Sequence, residues 1–260
     1  ATGDPFYSEL ANYEIELKYP SKYQLASTGE IKSEKNDEKI ISKITAKAVR
    51  DFAMCLSSDS EIKETQTEKT RVIFMSENEE KNSEKYLEIS KKAVEFFSDT
   101  FGKYPYTTLS VVKTPFIYGG MEYPNIVFIA DSIDSEEEIL KVIVHEIAHQ
   151  WWYGMIGNDE FTFPWLDEAL TEFSSILFYD NNDGYDLKHK QMVNSAKENY
   201  TLFISVYEDV LGPINTSMRA VDKYSTEPEY TYCVYVKGVL MYESLYQLIG
   251  EKSFYKCLKT

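Results

Sequence analysis

Residues 145–152 read HEIAHQWW, which places two histidines one helical turn apart. Residues four apart lie on the same face of a helix, so His145 and His149 can direct both imidazoles at one point. Glu146 lies beside them, and eighteen residues separate His149 from a further acid, Glu168. Two neutral imidazoles and one carboxylate are a common ligand set of catalytic zinc sites, in which the fourth position stays open for water.

These residue types also supply the chemistry of hydrolysis. Bound zinc lowers the pKa of its water to about 7, and a second carboxylate beside the metal can remove the proton. The spacing therefore predicts one zinc ion bound by His145, His149 and Glu168, with Glu146 as general base.

The alternative for the two histidines is a buried helix in which both rings are satisfied by ordinary hydrogen bonds. Residues 139–156 are apolar nearly all round, which predicts a buried helix. Burial of Glu146 without a partner would cost several kcal/mol, and a metal ion removes that difficulty. Ser135 and Glu138 form a capping box at the start of this helix, and Gly157 is its expected end.

A second helical segment, residues 163–180, carries the third predicted ligand. Pro164 suits its first turn, and the turn cluster DNNDG ends it. Glu172 lies one turn after Glu168 on the same face. It is either the acceptor for a ligand histidine's free N–H or a solvated surface acid, and the sequence leaves both interpretations open.

The charge of the chain bears on its partners. The net charge is −16, from 27 basic and 43 acidic residues, which argues against nucleic acid and anionic membrane surfaces as partners.

Three widely spaced cysteines indicate no disulfide framework. No apolar run reaches transmembrane length, and no signal peptide is evident. The compartment stays open.

The pattern along the chain changes from strands to helices. Residues 13–19 alternate apolar and polar, as in a half-buried strand. Residues 86–101 have helical spacing. Further strands are expected at 109–112 and 125–130, and helices dominate afterwards. The order predicts an α+β fold, with one domain over residues 1–75 and a second over residues 76–260.

The segment GGMEYP at residues 119–124 contains paired glycines within a strand-like stretch. Such glycines suggest a close approach by the backbone of another chain. An extended peptide can add to a sheet edge there, which would bring Glu122 near the ligand. A simple turn is the alternative.

Taken together, these segments resemble the zinc aminopeptidases of the aminopeptidase N type. HEIAHQWW, the eighteen-residue gap and WLDEALTEF match that family's metal-binding pattern. GGMEYP is similar to its GxMEN segment, and VYVKG at 234–238 is similar to its YxKG segment. The resemblance covers roughly residues 76–260. It implies a thermolysin-like catalytic domain, preceded by the end of a β-sandwich-like domain.

The resemblance also implies roles for individual residues. Glu122 would bind the substrate's free α-amine, and Gly119 and Gly120 would hold the peptide backbone. Tyr235 would donate a hydrogen bond to the tetrahedral oxyanion. The expected partners are peptides with a free N-terminus and further domains of a longer parent protein. One departure is Tyr123, which stands where the family has asparagine.

The predicted reaction is therefore removal of N-terminal residues from peptides by a zinc-activated water. One alternative is another hydrolase built on the same site, either an endopeptidase or a leukotriene-hydrolase-like epoxide hydrolase. A second alternative is a non-catalytic peptide-binding module with a structural zinc.

Overall fold

A computed structural model describes Gly3 and residues 7–185, 187–212 and 217–259. Within that part of the chain the strands are β1 (Ala11–Pro20), β2 (Gln24–Ser27), β3 (Glu30–Asn36), β4 (Lys39–Val49), β5 (Met54–Ser57), β6 (Ser60–Gln66), β7 (Arg71–Glu77), β8 (Thr108–Thr114), β9 (Gly120–Met121) and β10 (Ile126–Ala130). The helices are α1 (Ser83–Thr100), α2 (Glu136–Ala148), α3 (Glu168–Asn181), α4 (His189–Leu211), α5 (Glu227–Thr231), α6 (Lys237–Ile249) and α7 (Glu251–Leu258). A π-helical turn, Tyr232–Val236, connects α5 to α6. Strands precede helices, and the α+β prediction is confirmed.

The strands form three sheets among the described residues. β1, β4 and β3 make an antiparallel sheet, and β2 pairs with β5. The largest sheet has the order β6-β7-β8-β10-β9. Its central strands β7, β8 and β10 run parallel, whereas β6 and β9 are antiparallel to their neighbours. β9 therefore forms one edge of this sheet.

The alternation predicted for the first strand is present in β1. Tyr13, Ile15, Leu17 and Tyr19 point inward, while the residues between them are exposed. Tyr19 packs with Leu25 and Ile44 in a small core. The two-residue period of a strand places every second side chain on that face.

The chain divides into two compact units. The N-terminal unit contains Ser8–Asp99 and Lys103–Gly154, and the C-terminal unit contains mainly Met155–Thr260. The five-stranded sheet lies in the N-terminal unit, and helices α3 to α7 lie in the C-terminal unit. The domain boundary near residue 75 stays a prediction. The sheet is continuous across that position, because β7 pairs with β8.

Helix α1 matches the predicted 86–101 pattern and buries Tyr86, Leu87, Val94 and Phe97. Their positions, at successive intervals of one, seven and three residues, form one apolar stripe. None of the described helices combines the length and the apolar character that crossing a bilayer requires.

Helix α2 begins as predicted but ends early. The Ser135 side chain accepts the backbone N–H of Glu138 at 3.3 Å. The helix gives way after Ala148, well before Gly157. Gln150 N–H bonds to the carbonyl three residues earlier, at 3.0 Å, so the last turn tightens. Tyr153 then adopts a φ of 115°, which no helix can continue.

Helix α3 also begins later than Pro164. Its first residue is Glu168, whose N–H reaches the Pro164 carbonyl at 3.2 Å. Pro164 thus introduces a turn that leads into the helix.

Candidate active site

His145, in α2, and His149, the residue that caps the C-terminus of α2, lie together as their spacing predicts. Their Nε2 atoms are 3.2 Å apart. His149 is buried, and its Nδ1 lies 3.0 Å from the carbonyl oxygen of Trp152. A carbonyl can only accept, so in the neutral ring Nδ1 carries the proton and Nε2 is the nitrogen that can coordinate a metal. The Nδ1–H of His149 thus donates to a backbone carbonyl. Both interpretations of Glu172 stay predictions.

This pair fits a zinc ion. Two nitrogens that each lie about 2.0–2.1 Å from a tetrahedral metal are about 3.3–3.4 Å apart. The observed separation of 3.2 Å is close to that value. A neutral imidazole bound through Nε2, with Nδ1–H donated to a carbonyl, is the usual arrangement of a metal-binding histidine.

Glu146 packs against the backbone of β9. Its side chain is 6% exposed. A Cβ atom placed on Gly120 would lie 2.2 Å from Glu146 Oε1 and 2.5 Å from Cδ. At Gly119, by contrast, such an atom would meet no atom of the described residues within 4 Å, apart from its chain neighbours. Gly120 therefore lies against the side chain of the predicted general base. The approach by another chain's backbone expected at the paired glycines stays a prediction.

Glu122 lies just after β9, and its side chain is 4% exposed. The carbonyls of Glu122 and Tyr123 both accept hydrogen bonds from Gln150 Nε2, at 3.4 and 3.2 Å. The ring of Tyr123 packs edge-to-face on Phe128, with centroids 5.8 Å apart. GGMEYP is thus anchored to the residues that follow α2. The sequence pointed to none of these anchoring contacts.

In the C-terminal unit, Glu168 and Tyr235 are in contact. Glu168 opens α3 and is 4% exposed. Its carboxylate accepts a hydrogen bond from the Tyr235 hydroxyl. Tyr235 lies on the π-helical turn, a feature that is frequent at functional sites.

Two further close contacts lie in or directly after this π-helical turn. A Cβ atom on Gly238 would lie 2.2 Å from the Cβ of Ala169, so α6 and α3 approach closely there. The Ser217 hydroxyl donates to the Cys233 carbonyl at 2.6 Å. VYVKG and WLDEALTEF are therefore packed as one group around Glu168.

The structure thus brings predicted site residues together in three pairs: His145 with His149, Gly120 with Glu146, and Glu168 with Tyr235. Of these, only the pairing of the two histidines was predicted. It adds Gln150 to the neighbourhood of Glu122. Only a weak signal marked Gln150, namely its position directly after the second histidine. The chemical roles of these residues stay predictions.

Comparison with known proteins finds a matching family and several relatives. The pattern described as "Peptidase family M1 domain" matches residues 85–260. Leucine aminopeptidase 2-1 of Meyerozyma guilliermondii is 27% identical over 165 residues, which are 56% of this chain and 24% of that protein. Aminopeptidase B of Rattus norvegicus is 28% identical over 176 residues, which are 61% of this chain and 25% of that protein. The chain thus spans about a quarter of these relatives' length.

The fold is also found among solved structures. The M1 zinc metallopeptidase from Deinococcus radiodurans superposes with a TM-score of 0.72 at 16% identity, covering 97% of this chain and 56% of that chain. At this identity the likeness concerns the fold alone. It confirms the predicted zinc-peptidase-like α+β architecture.

Proposed function

The chain belongs to peptidase family M1, and from that premise we propose that it forms the catalytic part of a zinc aminopeptidase. The resemblance to the zinc aminopeptidases is confirmed at the level of the family. The observation that carries the proposal is the pair of Nε2 atoms of His145 and His149, which lie 3.2 Å apart with the His149 tautomer fixed by Trp152.

In this proposal, Glu168 completes the ligand set with the two histidines. It is the first residue of α3, and its carboxylate already accepts the Tyr235 hydroxyl. When bound, zinc supplies a water of lowered pKa and polarises the scissile carbonyl.

Glu146 acts as the general base. It takes a proton from the attacking water and passes it to the leaving amine. Its contact with Gly120 gives its carboxylate a defined position, and a fixed base is one source of catalytic rate. Tyr235 donates a hydrogen bond to the oxyanion, a contribution of about 3 kcal/mol in comparable sites.

The substrate binds along β9 and the residues that follow it. β9 is an edge strand, and an extended peptide can pair with such an edge through backbone hydrogen bonds. Gly119 and Gly120 hold the backbone in this arrangement. Glu122 pairs with the substrate's N-terminal ammonium, which limits cleavage to the first residue.

A comparison of two substrates tests the proposal. The zinc-loaded protein should cleave a peptide with a free N-terminus and leave its N-acetylated counterpart intact. The full-length parent protein serves as the reference, because this chain covers only part of its relatives. Cleavage of both peptides at equal rates would contradict the assignment and indicate an endopeptidase.

An epoxide hydrolase is the second candidate. A relative named "Leukotriene A-4 hydrolase homolog", from Botryotinia fuckeliana, is 34% identical over 99 residues, which are 36% of this chain and 14% of that protein. Such an enzyme would open a lipid epoxide, a reaction that needs no substrate amine. Epoxide turnover without peptide cleavage would favour it over the aminopeptidase.

A further inference from the structure

Gln150 is buried at the centre of a hydrogen-bond network in the N-terminal unit. It is 1% exposed. Its Oε1 accepts the backbone N–H of Asn125 at 2.9 Å and the hydroxyl of Tyr104 at 3.1 Å. Its Nε2 donates to the carbonyls of Tyr123 and Glu122. The amide thus makes all four hydrogen bonds available to a glutamine side chain.

Asn125 extends the network to the rest of the unit. Its Nδ2 donates to the Tyr104 hydroxyl at 3.0 Å, and its Oδ1 accepts the backbone N–H of Gly29 at 3.2 Å. Its φ of 62° lies in the left-handed region, which asparagine tolerates better than most residues. Burial raises the pKa of Tyr104 far above its ordinary value. The phenol therefore keeps the proton that it donates to Gln150.

Because of its position in the chain, Gln150 connects the end of α2 to the backbone at residues 122 and 123. It directly follows His149, so its amide is fixed to the end of α2. Its two donated bonds hold the peptide units on either side of the Tyr123 Cα atom. A fixed carbonyl at residue 122 restricts the backbone from which the Glu122 side chain departs.

We propose that Gln150 is a positioning residue for Glu122, holding that carboxylate in register with the histidines of α2 so that it can receive a substrate ammonium. The inference rests on the proposed function for the role of Glu122. The anchoring of the GGMEYP segment by Gln150 is independent of that role. Gln150 itself touches no reacting atom in this assignment.

Two substitutions distinguish the accepting oxygen of the Gln150 amide from its donating nitrogen. Gln150→Glu keeps an oxygen that can accept from Asn125 and Tyr104, but it replaces the N–H donors with an acceptor facing two carbonyls. Gln150→Leu removes all four bonds at similar volume. Ser90→Ala is the matched control, because it deletes a different buried hydrogen bond of the same unit, from Ser90 to the Tyr86 carbonyl.

The first measurement is ligand binding by the zinc-loaded protein. An amino-acid hydroxamate with a free amine is compared with its N-acetylated form by calorimetry. Both Gln150 variants should bind the free-amine ligand about tenfold more weakly. The N-acetylated ligand should change by less than about twofold, and Ser90→Ala should affect neither beyond that range.

A double-mutant cycle tests whether Gln150 acts through Glu122. If it does, Gln150→Leu combined with Glu122→Ala should bind the free-amine ligand no more weakly than Glu122→Ala alone. Additive losses, or equal losses for both ligands in the single variant, would overturn the positioning role.

The second measurement is hydrogen exchange of the metal-free protein. The Asn125 amide, which donates to Gln150, should exchange at least about tenfold faster in Gln150→Leu than in Ser90→Ala. Unchanged exchange there overturns the inference whatever the ligands do. If the wild-type protein binds neither hydroxamate, the proposed function fails. Faster exchange at Asn125 would then still support the anchoring, while the role toward an ammonium would be overturned.

Discussion

Gly120 lies against the carboxylate of Glu146 so closely that a Cβ atom at position 120 would come within 2.2 Å of Oε1. Because the neighbour is the end of a flexible side chain, the fold can accommodate an added methyl group by moving Glu146. The absence of a side chain at residue 120 therefore allows the Glu146 carboxylate to lie where it does.

We expect Gly120→Ala to lower turnover at least about a hundredfold, because Glu146 must move away from the attacking water. The free energy of unfolding should change by less than about 1 kcal/mol, since the packed core is untouched. Steady-state kinetics and urea denaturation measure the two effects. Gly119→Ala is the matched comparison: its added atom would meet no atom of the described residues within 4 Å, apart from its chain neighbours, and it should stay at least about tenfold more active. Equal activity of the two variants would refute the relationship.

Removal of one ligand tests the metal centre. Protein purified without added metal should contain about one zinc per chain, and His149→Ala should lose most of it. The reason is that the contact of His149 Nδ1 with the Trp152 carbonyl orients the ring and leaves Nε2 as the nitrogen for the metal. Elemental analysis checks this, with Ser90→Ala as a control that should keep its zinc. An unchanged zinc content in His149→Ala would exclude His149 as a ligand.

Glu146→Gln separates the general base from the metal ligands. The substitution keeps the shape of the side chain beside Gly120 but removes its basicity. Zinc content should be unchanged, whereas turnover should fall about a hundredfold or more. If the variant lost its zinc, Glu146 would have to be reassigned as a ligand.

Glu122→Ala tests the exopeptidase assignment. A charge-assisted contact between a carboxylate and the substrate ammonium is worth about 1.5–3 kcal/mol. Binding of free-amine peptides should therefore weaken about ten- to a hundredfold, while N-acetylated peptides should be barely affected. Equal weakening for both would mean that Glu122 serves only the structure.

The packing of Gly238 on Ala169 predicts the effect of a paired change. Gly238→Ala should destabilise the protein by about 1–3 kcal/mol through overpacking and lower turnover by displacing Tyr235. Adding Ala169→Gly makes room for the new methyl group, since the two Cβ atoms would otherwise lie 2.2 Å apart. The double variant should regain most of the turnover. Its free energy of unfolding should stay about 0.5–1 kcal/mol below the wild-type value, because glycine replaces alanine within a helix. No recovery would show that the clash lies elsewhere.

Local periodicity was enough to predict which residues of α2 share a face. The pairing of His145 with His149 follows from helical spacing, and the Ser135 cap from a capping-box pattern. The premature end of α2 was not predictable in the same way. The apolar run continues past His149, and only the tertiary surroundings bring Tyr153 to a φ of 115°.

Contacts between segments that are distant in the chain could not be predicted from the sequence either. Gln150 and Asn125 are separated by 25 positions, and neither residue type has a periodicity that would indicate a partner. Motif similarity suggested that GGMEYP and HEIAHQWW act in one site. It did not reveal that a glutamine amide links them, because such a link depends on how the turn after β9 meets the end of α2.

The shortness of β9 also affects how readily the protein can aggregate through the edge of its five-stranded sheet. An exposed sheet edge is a template for aggregation, and very short edge strands are one way in which proteins reduce that hazard. β9 pairs with β10 over only two residues, Gly120 and Met121. A strand from another molecule could therefore pair with at most two residues of β9. A strand this short offers little backbone for pairing with the sheet of a neighbouring protein molecule, so it limits aggregation through this edge.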